Sequence, residues 1–157
     1  MTDFQGLIRT LVDGDVEFIV VGGFAGTIHG AARLTVDLDV VYSRNVENIV
    51  RLAEALQGIA PYLRGAPPGL PFRFDAATIQ RGLNFTLTTS SGDLDLLGTV
   101  TGGGPYESLL PETDVVQVFG LNVRCLNLSK LIEVKRAAGR PKDFDAIAEL
   151  ETIIEES

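Results

Sequence analysis

Apolar residues at positions 4, 7, 8, 11 and 12 have the spacing of one helix face, predicting a helix over Phe4 to Val12. Asp13-Gly14-Asp15 stops it. The run Glu17 to Val21 (EFIVV) is short, apolar and β-branched, and reads as a buried strand. Gly22-Gly23 then turns the chain into a short helix, Phe24 to His29, closed by Gly30. Asp37 to Tyr42 (DLDVVY) is a second strand. Ser43 or Asn45 is placed to cap the next helix, in which positions 46, 49, 50, 53, 56 and 60 make one apolar face.

Beyond a Gly/Pro-rich loop at 64–71 (RGAPPGLP), Asn84 to Thr89 and Asp93 to Leu97 read as a hairpin turned by Ser90-Ser91-Gly92. TGGGP at 101–105 reads as a second loop. Val115 to Phe119 and Leu121 to Leu126 form another antiparallel pair, turning near Gly120. Two helices finish the chain. The first runs from about Leu128 to Ala138 and ends at Gly139, and Pro141 opens the second at its first turn. The order predicts an α+β fold with a mixed sheet flanked by helices. The expectation is one domain over 1–157, with a core of about 15–126 and a C-terminal helical pair of about 127–156.

Composition narrows the class. The chain has 157 residues, 45% of them hydrophobic and 22% charged, which are globular values. The net charge of −8 argues against broad, non-specific binding of nucleic acid. It leaves room for a nucleotide held locally through a metal. The single cysteine, Cys125, sits in an alternating apolar strand and reads as core. The start MTDFQGLIRT lacks the basic and apolar regions of a signal peptide, and the apolar runs are far shorter than the ~20 residues of a membrane span. The expected setting is cytoplasmic, with no membrane partner.

Candidate chemistry concentrates in VVGGFAGTIHGAARLTVDLDVVY. Alternation along a strand puts Asp37 and Asp39 on one face and Leu38 and Val40 on the other. Neighbouring like charges repel unless a cation lies between them. Mg²⁺, or Mn²⁺ in its place, suits one or two carboxylates plus substrate phosphates. Gly22-Gly23, between strand and helix, lets the backbone approach a ligand closely, and the helix start offers N–H groups to phosphate. A third carboxylate can come from GDLDLLG. Asp95 is preferred because it lies deeper in its strand, whereas Asp93 is assigned to the turn. In two-metal chemistry such a group completes the first ion and accepts the nucleophile's proton.

Other site types fit less well. No Gly-Lys-Ser/Thr occurs, the G-x-G-x-x-G spacing is missing, and no glycine and closing glutamate complete a calcium loop. His29, the one histidine, has no evident catalytic partner and is read as a packing residue.

Taken together, Gly22-Gly23, Asp37-Leu38-Asp39 and Asp95 resemble the pattern of the minimal nucleotidyltransferase superfamily, whose fold is that of the DNA polymerase β catalytic domain. Arg33-Leu34-Thr35 just before the carboxylate pair resembles the AbiEii-type toxin group, as does KLIEVKRAAGRPKDFDAI near the C-terminus. The resemblance implies an enzyme that moves a nucleoside monophosphate from a nucleoside triphosphate to a hydroxyl acceptor on RNA, protein or a small molecule. It implies Asp37, Asp39 and Asp95 as catalytic metal ligands. It further implies Gly22, Gly23, Arg33, Thr35 and Lys130 around the nucleotide, with Asp143 closing the site. A cognate antitoxin or partner chain is a further implication. Two rivals stay open: a non-catalytic module of this fold that recognises a nucleotide or partner protein, and carboxylates that are merely solvated.

Overall fold

The computed structural model describes residues 1–156. Helix α1 (Phe4–Asp13) leads into β1 (Phe18–Val21), α2 (Gly22–Ile28), β2 (Asp37–Tyr42) and α3 (Val46–Leu56). Then come β3 (Tyr62–Leu63), α4 (Ala76–Arg81), β4 (Phe85–Thr89), β5 (Gly92–Leu97), β6 (Thr99–Val100) and β7 (Gly104–Pro105). The chain ends with α5 (Tyr106–Leu109), β8 (Thr113–Val118), β9 (Leu121–Leu126), α6 (Leu128–Ala138) and α7 (Pro141–Glu156). Seven strands form one sheet in the order β3-β4-β5-β2-β1-β9-β8. β2 runs parallel to β5, and β1 parallel to β9, while the other neighbours are antiparallel. This is the expected mixed sheet, flanked by helices and closed by a C-terminal helical pair.

The helix starts follow local chemistry. Asp3, Asn45, Asp75 and Asn127 each accept a hydrogen bond from a backbone N–H in the first turn of the helix they precede. Such caps each contribute about 1 kcal/mol. Leu38 and Val40 of β2 and Leu94 and Leu96 of β5 are fully buried, so the face opposite the carboxylates is core. Leu38→Ala is expected to cost about 2–5 kcal/mol, because strands on both sides prevent collapse into the cavity. A urea midpoint lowered at constant slope would show it.

Several sequence expectations need correction. Helix α3 buries Asn48, Ile49, Leu52, Ala53 and Leu56, while Val46 and Val50 face solvent. The buried face is rotated because the Asn48 side chain is consumed by backbone: it accepts from the Glu17 N–H at 2.7 Å and donates to the Ser43 carbonyl at 2.8 Å. The helix also stops before position 60, where Ala60 is left-handed. Phe119 belongs to the turn rather than the strand; it and Gly120 both have positive φ, as a tight hairpin requires. Gly104-Pro105, expected in a loop, pairs with β6. Asp93 is not a turn residue: it lies within β5, opposite Asp37.

Candidate active site

The parallel register of β2 and β5 sets Asp37 beside Asp93 and Asp39 beside Asp95. Because residues i and i+2 share a strand face, all four carboxylates project from one side of the sheet. One oxygen each from Asp37, Asp39 and Asp95 lies within 4.8 Å of the other two, the one such acidic cluster among the described residues.

The electrostatics reflect this crowding. Burial, then the charges of Asp37 and Asp95, push the Asp39 carboxyl up to about 8. Asp37 is also raised, first by burial and then by Asp95. Asp39 Oδ1 is buried with no hydrogen-bond partner among the described residues. A buried carboxyl oxygen left without a partner beside two other carboxylates fits a divalent cation, whose oxygen preference matches this donor set.

Gly22 and Gly23 open α2 directly against these strands. Gly22 has φ +68°, and a Cβ there would sit 2.1 Å from Asp39 Oδ2. A Cβ on Gly23 would sit 2.8 Å from Thr35 Oγ1. Thr35 itself donates to the Asp37 carbonyl at 3.2 Å. The glycines thus let backbone lie against the carboxylates where no side chain fits.

A cavity of about 260 Å³ joins these parts. Its walls include Gly22, Gly23, Arg33, Thr35, the three carboxylates and, from the helical pair and its connection, Lys135, Arg140, Lys142 and Asp143. Arg140 donates through Nε to Asp143 Oδ2 at 2.8 Å and through Nη2 to Oδ1 at 3.1 Å. Burial opposes the Asp143 charge, but Arg140 outweighs it and holds the carboxyl below the usual range. Arg33 lies at the rim, 3.8 Å from Glu149 and 3.9 Å from Asp145. A second cavity of about 670 Å³ shares Leu34 and Thr35 with the first and is walled by Thr2, Val36, Thr88 and Asp93.

Of the residues that the resemblance assigns to the site, Lys130 alone does not line the first cavity; its Nζ pairs with Glu133 at 2.5 Å. Lys135 takes the cavity position. Five residues turn a helix by about 140° beyond a full circle, so the two lysines cannot share a face. Lys135 is only 9% exposed, and burial lowers its pKa despite the nearby Asp143. Its signal was a cation on the same stripe as Leu131 and Ile132, which are buried. Arg64 was also missed. Its guanidinium reaches Asp95 at 2.8 Å, Asp93 at 3.5 Å and Asp37 at 3.8 Å. His29 donates through Nε2 to the Leu126 carbonyl, 2.7 Å away, and Cys125 is fully buried, its thiol pushed up to about 12 by burial.

No family model and no curated protein sequence matches the chain. Solved structures do. A candidate nucleotidyltransferase from Thermotoga maritima aligns over 100% of this chain and 97% of its own, with TM-score 0.59 and 14% identity. The lincosamide antibiotic adenylyltransferase LnuA, solved with lincomycin, aligns over 96% of both chains, with TM-score 0.64 and 12% identity. ANT(2″)-Ia, solved with adenylyl-2″-tobramycin, aligns over 96% of this chain and 86% of its own, with TM-score 0.62 and 12% identity. At such identities a likeness speaks for architecture, and the architecture of this chain is the nucleotidyltransferase fold.

Proposed function

We propose that this chain is a Mg²⁺-dependent nucleotidyltransferase that moves a nucleoside monophosphate from a nucleoside triphosphate to a hydroxyl acceptor. The observation that carries the reading is the convergence of Asp37, Asp39 and Asp95 beside the glycine-opened α2. These three carboxylates would hold the metal. The ion, when bound, neutralises phosphate charge and activates the attacking oxygen.

The chain's own groups account for the rest. Backbone at Gly22-Gly23 lets the triphosphate approach Asp37 and Asp39. Lys135, Arg140 and Lys142 supply positive charge along the cavity wall for the β- and γ-phosphates. Asp143 orients Arg140 through the paired hydrogen bonds between their side chains. The acceptor hydroxyl attacks the α-phosphorus, the bond to the β-phosphate oxygen breaks, and pyrophosphate leaves. The hydroxyl proton passes to the Asp95 carboxylate.

The acceptor is proposed to be a small hydroxyl-bearing molecule seated in the second cavity, which adjoins the first through Leu34 and Thr35. LnuA, bound to lincomycin, and ANT(2″)-Ia, bound to an adenylylated tobramycin, support that size class. Net charge −8 weighs against a long polyanionic acceptor. A second reading, a toxin that modifies RNA or protein and pairs with an antitoxin, draws support from Arg33 and Thr35 lining the cavity. Both readings place the protein in the cytoplasm. No helix among the described residues is long and apolar enough to cross a membrane.

The test is transfer of label from each of the four α-labelled triphosphates, with Mg²⁺, to hydroxyl-bearing small molecules or cell RNA, with matching release of unlabelled pyrophosphate. Nucleotide binding without label transfer to any acceptor would favour the non-catalytic module. Lys135→Gln is expected to raise KM for the triphosphate about tenfold or more, as loss of a buried charge-assisted contact does. An unchanged KM would remove Lys135 from the phosphate site.

A further inference from the structure

The guanidinium of Arg64 is spread over three carboxylates. It donates from Nη2 to Asp95 Oδ1 at 2.8 Å, stands 3.5 Å from Asp93 and 3.8 Å from Asp37, and uses Nη2 again on the Leu87 carbonyl at 2.7 Å. Two of those three carboxylates belong to the trio assigned to the metal. We propose that Arg64 is the internal counter-ion of the metal site: it neutralises Asp95 and Asp37 in the metal-free protein and is displaced from them by the divalent cation. This rests on the metal reading given above.

The contact geometry is that of an exchangeable partner. Of the three carboxylates only Asp95 is at hydrogen-bond distance, and the Leu87 carbonyl, the other acceptor, can keep Nη2 when Asp95 is released. The Arg64 Nε is buried with no hydrogen-bond partner among the described residues, so the clamp on Asp93 is incomplete. A purely structural tie gains most from a bidentate pair on one carboxylate. Splitting one cation among three anions instead matches its task, which is to offset a block of like charge.

Arg64 can also move without disturbing the sheet. Its backbone N–H donates to the Thr86 carbonyl, which anchors the main chain beside β4. The side chain is 28% exposed, and the following Gly65 has φ +83° with open space around it. A dication beside the same oxygens gains about twice the Coulomb energy of a guanidinium at equal distance, which is the attraction that would draw the carboxylates from Arg64.

The experiment is calorimetric titration of Mn²⁺ into the wild type and Arg64→Gln, without nucleotide. The variant is expected to bind Mn²⁺ about tenfold or more tightly, since it has no resident cation to displace. Its melting temperature in EDTA is expected to fall below that of the wild type, with the gap closing at saturating Mn²⁺. Equal or weaker affinity in the variant, with normal binding by the wild type, overturns the proposal and leaves the metal site standing. Absence of Mn²⁺ binding in both overturns the metal reading and this proposal with it. Should Arg64→Gln fail to fold, the wild type alone decides. Phenylglyoxal should label Arg64 faster with Mn²⁺ than in EDTA, and a rate unmoved by Mn²⁺ that binds overturns the displacement.

Discussion

Asp39→Asn is expected to reduce Mg²⁺-dependent turnover about a thousandfold or more while making the metal-free protein more stable at pH 8. The first effect follows from losing a metal ligand, which removes several kcal/mol of transition-state stabilisation. The second follows from linkage. The Asp39 carboxyl sits at about 8 in the folded protein against 3.8 ordinarily, with burial the leading cause. A folded-state value raised in this way favours folding fully below about pH 4, where both states hold the proton. That contribution drains away as pH rises towards 8, because the unfolded chain ionises first and the folded chain must then bear a buried charge. Asp37, raised in the same direction, adds to the slope. Asparagine cannot ionise and removes the Asp39 share. Melting curves in EDTA between pH 5 and pH 8.5 should therefore fall more steeply for the wild type than for Asp39→Asn. Added Mg²⁺ at pH 8 should stabilise the wild type alone. Identical pH slopes would mean that Asp39 is not the strained carboxyl, and undiminished turnover would end its catalytic assignment.

That pair of outcomes joins stability to function at one residue, and the sequence displays the face of that residue. Strand alternation is a local rule, so the shared face of Asp37 and Asp39 was legible from DLDVVY alone. The same rule applied to GDLDLLG yields the face of Asp95. What joins the two faces is the parallel register of β2 and β5, which sequence does not display. Asp93 was misread for the same reason, since a turn boundary one residue away decides whether it belongs to the ladder. Arg64 stood at the head of a Gly/Pro-rich stretch and looked like loop. Its position comes from β3, two residues long, whose place is set by pairing with β4. Helices α4 and α5 are too short for periodicity to reveal them. Lys135 was hidden among several cations near the end of α6, where the helix dipole already accounts for positive charge. Only the rotation of α6 against α2 and α7 selects the one that faces the cavity.

Gly22→Ala carries the other large expected effect, and it separates backbone strain from damage to the site. Alanine at φ +68° costs about 1–2 kcal/mol in the left-handed region. For a domain of this size that is about 2–8 °C of melting temperature. The new methyl would also lie 2.1 Å from Asp39 Oδ2 and 2.9 Å from Asp39 Cβ. The Asp39 main chain cannot retreat, because β2 is paired with β1 on one side and β5 on the other. So either the Asp39 side chain rotates away from Asp37 and Asp95, or the Gly22 backbone leaves the carboxylates. Each route opens the cluster, and turnover and Mn²⁺ affinity should both fall about a hundredfold. Gly120→Ala is the matched control: φ is +77° there, but nothing lies within 4 Å of the added methyl. It should lose stability of the same order with metal affinity and turnover intact. Gly23→Ala should fall between them, since its clash is with the Thr35 hydroxyl, the end of a side chain that can turn. If Gly22→Ala merely matched Gly120→Ala, keeping full metal affinity and activity, the glycine would be a turn residue and the close approach of backbone to Asp39 would have no part in the chemistry.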